Sequence, residues 1–153
     1  MRCLESWQIG LFGSIFFIGN VIGSTLLSEY GDTVGRIKMM RLGQGASFFC
    51  YFTIVFFIRS PAVVYFLIFI IGLLSCWRLS LAFIYGQEIV EETKQAIAGS
   101  LFNLFDAQVL IISSVFYMCL SKQWVNLHGL FVLFTLYSYL VFCFIPESPK
   151  FLL

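Results

Sequence analysis

Five apolar runs, each about the length a helix needs to cross a bilayer, follow one another with only a few residues between them. Bilayer hydrocarbon is roughly 30 Å thick, so a spanning helix takes about 20 predominantly apolar residues. The runs cover approximately Gln8–Tyr30, Met39–Ile58, Ala62–Gly86, Ala96–Leu120 and Trp124–Ile145. Their connectors are GDTVGRIK, RSP, QEIVEETKQ and SKQ, too short to hold a separate soluble domain. Neighbouring spans must therefore run antiparallel and pack side by side. The runs are continuous and do not alternate with a period of two, which argues against strands. In hydrocarbon every backbone polar group must be paired within the protein, and a continuous run meets that demand as a helix. The expected fold is an all-α membrane bundle of five transmembrane helices, one domain over residues 1–153.

Composition agrees with lipid as the solvent. The chain is 60% hydrophobic and 11% charged, far below the roughly 25% charge of soluble domains. A net charge of +1 gives no reason to expect a nucleic-acid partner. The five cysteines, Cys3, Cys50, Cys76, Cys119 and Cys143, lack metal or redox spacing and read as small buried apolar residues. The start, MRCLESWQIG, has no basic segment before a short apolar stretch and does not read as a cleaved signal peptide.

Lysine and arginine orient the bundle. Arg36, Lys38, Arg41, Lys94 and Lys150 fall on one side, against Arg2, Arg59 and Lys122 on the other. The richer side, with its cluster at 36–41, is expected to be cytoplasmic. Trp7, Tyr30, Tyr85 and Trp124 stand near span ends, where amphipathic rings suit the interface. The first span holds Gly19 and Gly23 at a spacing that lets two membrane helices approach closely, a packing feature or a moving interface.

Two motifs carry more. The first is Ser28-Glu29-Tyr30-Gly31-Asp32-Thr33-Val34-Gly35-Arg36-Ile37-Lys38, where the first span enters the basic turn. Gly35 permits a tight turn there, and Asp32 and Arg36 can pair with each other or with nearby helix ends. The second is Pro146-Glu147-Ser148-Pro149-Lys150-Phe151-Leu152, directly after the last span. Pro146 ends the helix, and Ser148 can cap a following one that starts at Pro149. Each motif alone also reads as a charged stop to a span.

Taken together, at these positions among the spans, the motifs resemble those of the major facilitator superfamily of transporters. The chain is similar to the amino-terminal half of such a transporter, from its second to its sixth helix. The D-x-x-G-R turn resembles the family signature between the second and third helices. PESPKFL resembles the motif after the sixth in sugar porters and organic ion transporters. Gly72, Glu88 sixteen residues later, and Gly99 sit as in that group's fourth and fifth helices. Trp124 stands twenty-two residues before Pro146, as in organic cation transporters, which tilts the resemblance toward organic ions over sugars. It implies alternating-access transport, no cofactor, a bilayer and a small organic solute as partners, and the plasma membrane as location.

The resemblance also implies a cytoplasmic latch built from Asp32, Gly35, Arg36, Glu88 and Lys94 with Pro146, Glu147, Ser148 and Pro149. Several partners differ from the family pattern. Ser28 replaces a glycine, Ile37 a basic residue, and Ile68, Gln95 and Val125 stand where arginines are usual. Lys94 is the candidate stand-in beside Gln95, and the latch is expected to be weakened. The family uses twelve helices in two halves, with solute held between them at mid-membrane. One copy of five spans is then expected to be a fragment, a subunit needing the missing half or another membrane chain, or a decayed paralogue.

Charges inside spans mark candidate function. Arg78 lies ten residues before Glu88, and Asp106 ten residues after Ala96, each about 15 Å of helix rise from the basic side. Both belong near the midplane, where they could form an ion pair with Asn103 on the same face. Alternatively, Arg78 contacts an anion, or Asp106 a cation or proton. Asn20 is a further pathway candidate or interhelical glue. His128 reads as a hydrogen-bonded interfacial residue, and Glu88, Glu91, Glu92 and Lys94 as a charged loop. No nucleophile elbow, metal-ligand pair or phosphate loop is present in the sequence, so transport, or a non-transporting membrane subunit or remnant that regulates a full-length partner, is expected ahead of an enzyme.

Overall fold

The computed structural model describes residues 5–26, 33–57, 60–119 and 123–146. Among them the chain forms five α-helices and no strand. They are α1 (Ser6–Leu26), α2 (Arg36–Phe56), α3 (Pro61–Ile89), α4 (Gln95–Cys119) and α5 (Trp124–Phe144), with a 3₁₀ turn at Glu92–Lys94 before α4. α1, α3, α4 and α5 are each long and apolar enough to cross a membrane. α2 has the length, but Arg36, Lys38, Arg41 and Gln44 dilute its first half. Large apolar side chains such as Phe17, Met118 and Phe144 are exposed, as expected where lipid is the solvent. The chain is a multi-pass membrane protein.

Helix ends follow local chemistry. Pro61 opens α3, where its missing N–H would have had no helical partner anyway. α3 then runs past Gly86 to Ile89. Glu88, read in sequence as part of a loop, is therefore in the last helical turn.

Glycine sets the tightest contact. Gly19 and Gly23 of α1 face the backbone of Phe69 and Leu73 of α3, and Gly72 of α3 faces the backbone of Phe16 on α1. A Cβ at any of the three would overlap a carbonyl oxygen across the interface. Small residues let backbones meet and gain dispersion contact where lipid supplies no hydrophobic drive. At the far end from the basic turn, the Tyr65 hydroxyl donates to the Gln8 carbonyl at 2.9 Å, and the Phe12 and Tyr65 rings lie 4.6 Å apart.

α2 packs on α3 through Gly43 against Trp77, and on α5 through Gly45 against the Tyr139 ring. α3 is thus flanked by α1 and α2, with α5 beyond α2. α4 stands apart. It buries no residue among those described, touching α3 mainly where Phe102 covers Gly86 and Phe83 covers Gly99. Cysteine burial differs from expectation. Cys76 is buried, Cys50 half-buried, and Cys119 and Cys143 are exposed, because α4 and the end of α5 present whole faces outward. Cys3 lies outside the described residues.

Candidate functional site

The basic end of the bundle is where α2, α3 and α5 are joined. Gly35 precedes α2 with φ 114° and ψ 134°, a backbone region open essentially to glycine alone. The turn delivers Arg36 as the first residue of α2. Its guanidinium is ion-paired with the Glu88 carboxylate in the last turn of α3, both side chains being about 15% exposed (15% and 14%). Arg36 sits at the positive end of its own helix dipole and Glu88 at the negative end of its own. Each is disfavoured there alone and favoured beside the antiparallel neighbour. The pair therefore stabilises the two ends only while they stay together.

Apolar packing fixes that geometry. Ile37, Met40 and Leu81 form a buried cluster, with Trp77, Tyr85, Phe142 and Ile145 packed around it. Ile37, where the family pattern has a basic residue, is fully buried and anchors α2 instead of carrying charge.

Arg41 adds a connection that the sequence did not suggest. Its Nε donates to the Phe142 carbonyl at 2.6 Å and its Nη2 to the Ile145 carbonyl at 2.7 Å. These are carbonyls at the end of α5 that lack helical partners, and a guanidinium fork suits two of them. The Tyr85 hydroxyl of α3 donates to the Pro146 carbonyl at 3.1 Å. The end of α5 is thus held from α2 and α3 at once. Asp32, Glu147, Ser148 and Pro149 lie outside the described residues. Lys94 pairs with Glu91 at 3.4 Å in an exposed contact within the 3₁₀ turn, and Gln95 Nε2 donates to the Gln87 carbonyl at 3.2 Å.

The charges within the spans are placed differently. Arg78 lines a hollow with Gln44, Thr135, Ser138 and the phenyl rings of α5. Asp106 and Asn103 line an adjoining one against Phe83 and Phe102. Leu79 and Val109 belong to both. Asp106 acts on Arg78 electrostatically, yet among the described residues the two make no direct ion pair. Asn20 is half-buried on α1, without a described side-chain hydrogen bond.

His128 of α5 is hydrogen-bonded through Nδ1 to the Tyr51 hydroxyl of α2. Both line an apolar cleft of about 340 Å³ with Phe12, Phe16 and Ile68. Gln44 donates from Nε2 to the Thr135 carbonyl at 3.2 Å. Sequence reasoning missed Gln44, because a single amide in an apolar run gives no signal of its partner.

Comparison with known proteins gives a consistent result. Residues 5–152 match the family model described as Major Facilitator Superfamily. A Solute carrier family 22 member 15-like protein of Xenopus laevis is 28% identical, over 97% of this chain and 30% of its own length. Solute carrier family 22 member 4 of Mus musculus is 28% identical, over 99% of this chain and 27% of its own length. Organic cation/carnitine transporter 2 of Rattus norvegicus is 26% identical, over 99% of this chain and 27% of its own length. The chain spans less than a third of the length of each of these relatives.

Proposed function

The chain belongs to the Major Facilitator Superfamily, and from that membership and the geometry of its basic end we propose that it serves the transmembrane movement of a small organic ion. The observation that carries the proposal is the Arg36–Glu88 pair, which joins the arginine of the D-x-x-G-R motif, at the start of α2, to the end of α3. In this reading the basic end is cytoplasmic, α1, α2 and α3 move as one block, and the pair latches one state of an alternating-access cycle. Arg41 and Tyr85 tie the end of α5 to the same block. Asp32, Glu147, Ser148 and Pro149 would complete the latch. Relatives that include an organic cation/carnitine transporter favour organic ions over sugars, and membrane transport over enzymatic chemistry. Plasma membrane is the location such relatives suggest.

A second reading draws on α4, which buries no residue within this chain, and on the fraction of each relative that the chain spans. In it the bundle does not transport alone but docks with further transporter helices, as a fragment or as a subunit that modulates a full-length partner. Uptake of radiolabelled tetraethylammonium separates the two. Cells expressing this chain should accumulate the cation saturably, and Glu88→Gln should change that uptake. If the chain adds no uptake but alters that of a co-expressed full-length relative with which it co-purifies, the second reading replaces the first. If neither occurs, both fail.

A further inference from the structure

α4 carries an unbroken heptad seam on a face turned away from the rest of the chain. Ile97, Leu101, Leu104, Ile111, Val115 and Met118 follow one another at alternating steps of four and three residues, with Gln108 filling the one remaining place. The apolar members are 48–86% exposed, so no described helix of this chain covers them. The side that α4 presents to α3, with Gly99 under Phe83 and with Asn103 and Asp106 along a hollow, contains none of them. From Ile97 to Met118 the seam rises about 31 Å, which matches the roughly 30 Å hydrocarbon layer.

Gln108 decides what such a seam meets. It is exposed and lies thirteen residues after Gln95 and eleven before Cys119, the two ends of α4, and so near the middle of the layer. Its side-chain amide makes no hydrogen bond among the described residues. Hydrocarbon offers an exposed carboxamide no partner, which makes this a costly place for one. An apolar partner helix leaves that cost in place. A purely cationic or purely acidic partner satisfies only half of a group that both donates and accepts.

We propose that α4 is the interface of a parallel dimer with a second copy of this chain, packed as a left-handed coiled coil about a two-fold axis along the membrane normal. Two copies inserted with the same orientation hold their α4 helices parallel, and the axis sets each seam residue beside its own counterpart. Gln108 then meets Gln108 of the second copy, each amide donating an N–H to the other's Oε1. Apolar residues pack at every other level of the seam. A single polar residue at one such position fixes the register, since a slip of one heptad sets Gln108 against Leu101 or Val115. Ser100, Ala107 and Ser114 flank the seam and are small enough to let the helices come close. The two serine hydroxyls bring no unmet group there, because they donate to the Ala96 and Leu110 carbonyls of their own helix at 2.9 and 2.8 Å. The dimer rests on α4 crossing the membrane and not on the transport reading, so either can fail without the other.

The test is Förster transfer between donor- and acceptor-labelled chains in phosphatidylcholine liposomes at increasing lipid-to-protein ratio. Transfer should fall along a dimer isotherm. Gln108→Leu, a change at an exposed position outside the bundle's own contacts, should weaken dimerisation roughly three- to thirtyfold, and Gln108→Asn should retain part of it. Disulfide formation locates the contact. With the native cysteines replaced by alanine, Leu104→Cys and Ile111→Cys should each cross-link two chains, and Ser113→Cys, on the opposite side of α4, should not. Wild-type chains that stay monomeric at every ratio overturn the dimer. Dimers that form equally well in Gln108→Leu, or that cross-link through Ser113→Cys as readily as through Ile111→Cys, overturn the seam. Chains that cross-link through Ile111→Cys only to a co-expressed full-length relative give α4 a different partner and overturn the proposal as well.

Discussion

Arg41 on α2 closes the end of α5 by donating to the carbonyl of Phe142 at 2.6 Å, a contact between residues 101 positions apart in the chain. A second donor of the same guanidinium reaches Ile145. The partners are backbone oxygens, so the contact does not depend on the identity of the α5 side chains. It depends on α2 and α5 being held at one depth, which the seat of Tyr139 against Gly45 accomplishes.

Replacing Arg41 by lysine keeps the charge and loses the fork. One ammonium cannot reproduce both bonds, and charge-assisted bonds are worth about 1.5–3 kcal/mol each. Arg41→Lys should destabilise the folded chain by roughly 1–2 kcal/mol in detergent unfolding and speed hydrogen exchange at residues 142–146. Tyr85→Phe, which loses one neutral bond to Pro146, should cost less, about 0.5–1.5 kcal/mol. Unchanged exchange in Arg41→Lys would mean that the contact does not hold the helix end.

Glycines of the same helix should respond in opposite ways. Gly23→Ala places a Cβ onto the Leu73 carbonyl, whereas Gly10 and Gly13 have open space around them. Overpacking costs about 1–3 kcal/mol, so Gly23→Ala should lower the unfolding midpoint and separate spin labels placed on α1 and α3. Gly10→Ala should be neutral or slightly stabilising, because alanine is the better helix former by up to about 1 kcal/mol. Equal effects at both positions would refute the close α1–α3 contact.

Gly35→Ala tests the turn. With φ at 114°, a side chain there is strained by roughly 1–3 kcal/mol, and relief requires α2 to start at another angle. The expected outcome is loss of the Arg36–Glu88 contact, read as cross-linking between cysteines at 36 and 88 that falls relative to the same pair on a Gly35 background. Undiminished cross-linking would show that the turn conformation does not position Arg36.

The span-length runs were legible because a helix must pair its own backbone in lipid, a demand written along the chain. The charge-rich stretch from Gln87 to Gln95 hid the end of α3, since Glu88 looks like a loop residue until a partner on α2 is seen. Arg41 gave only its charge, because carbonyl partners leave no mark on a sequence. Counting residues suggested a shared depth for Arg78 and Asp106, but it could not say that they line two adjoining hollows and make no direct ion pair among the described residues. Counting fixes rise along an axis and says nothing of which hollow a side chain lines. Asp32, Glu147, Ser148 and Pro149 lie outside the described residues.

The most direct measurement of the account is a double-mutant cycle on Arg36 and Glu88. Arg36→Ala and Glu88→Ala should each destabilise the chain by about 3 kcal/mol, because each leaves a mostly buried charge without this partner. The double variant should fall short of their sum by about 0.5–3 kcal/mol, the range for residues in contact, and the exchange Arg36→Glu with Glu88→Arg should recover part of the stability. Strict additivity, with no recovery in the exchanged pair, would contradict the latch between α2 and α3.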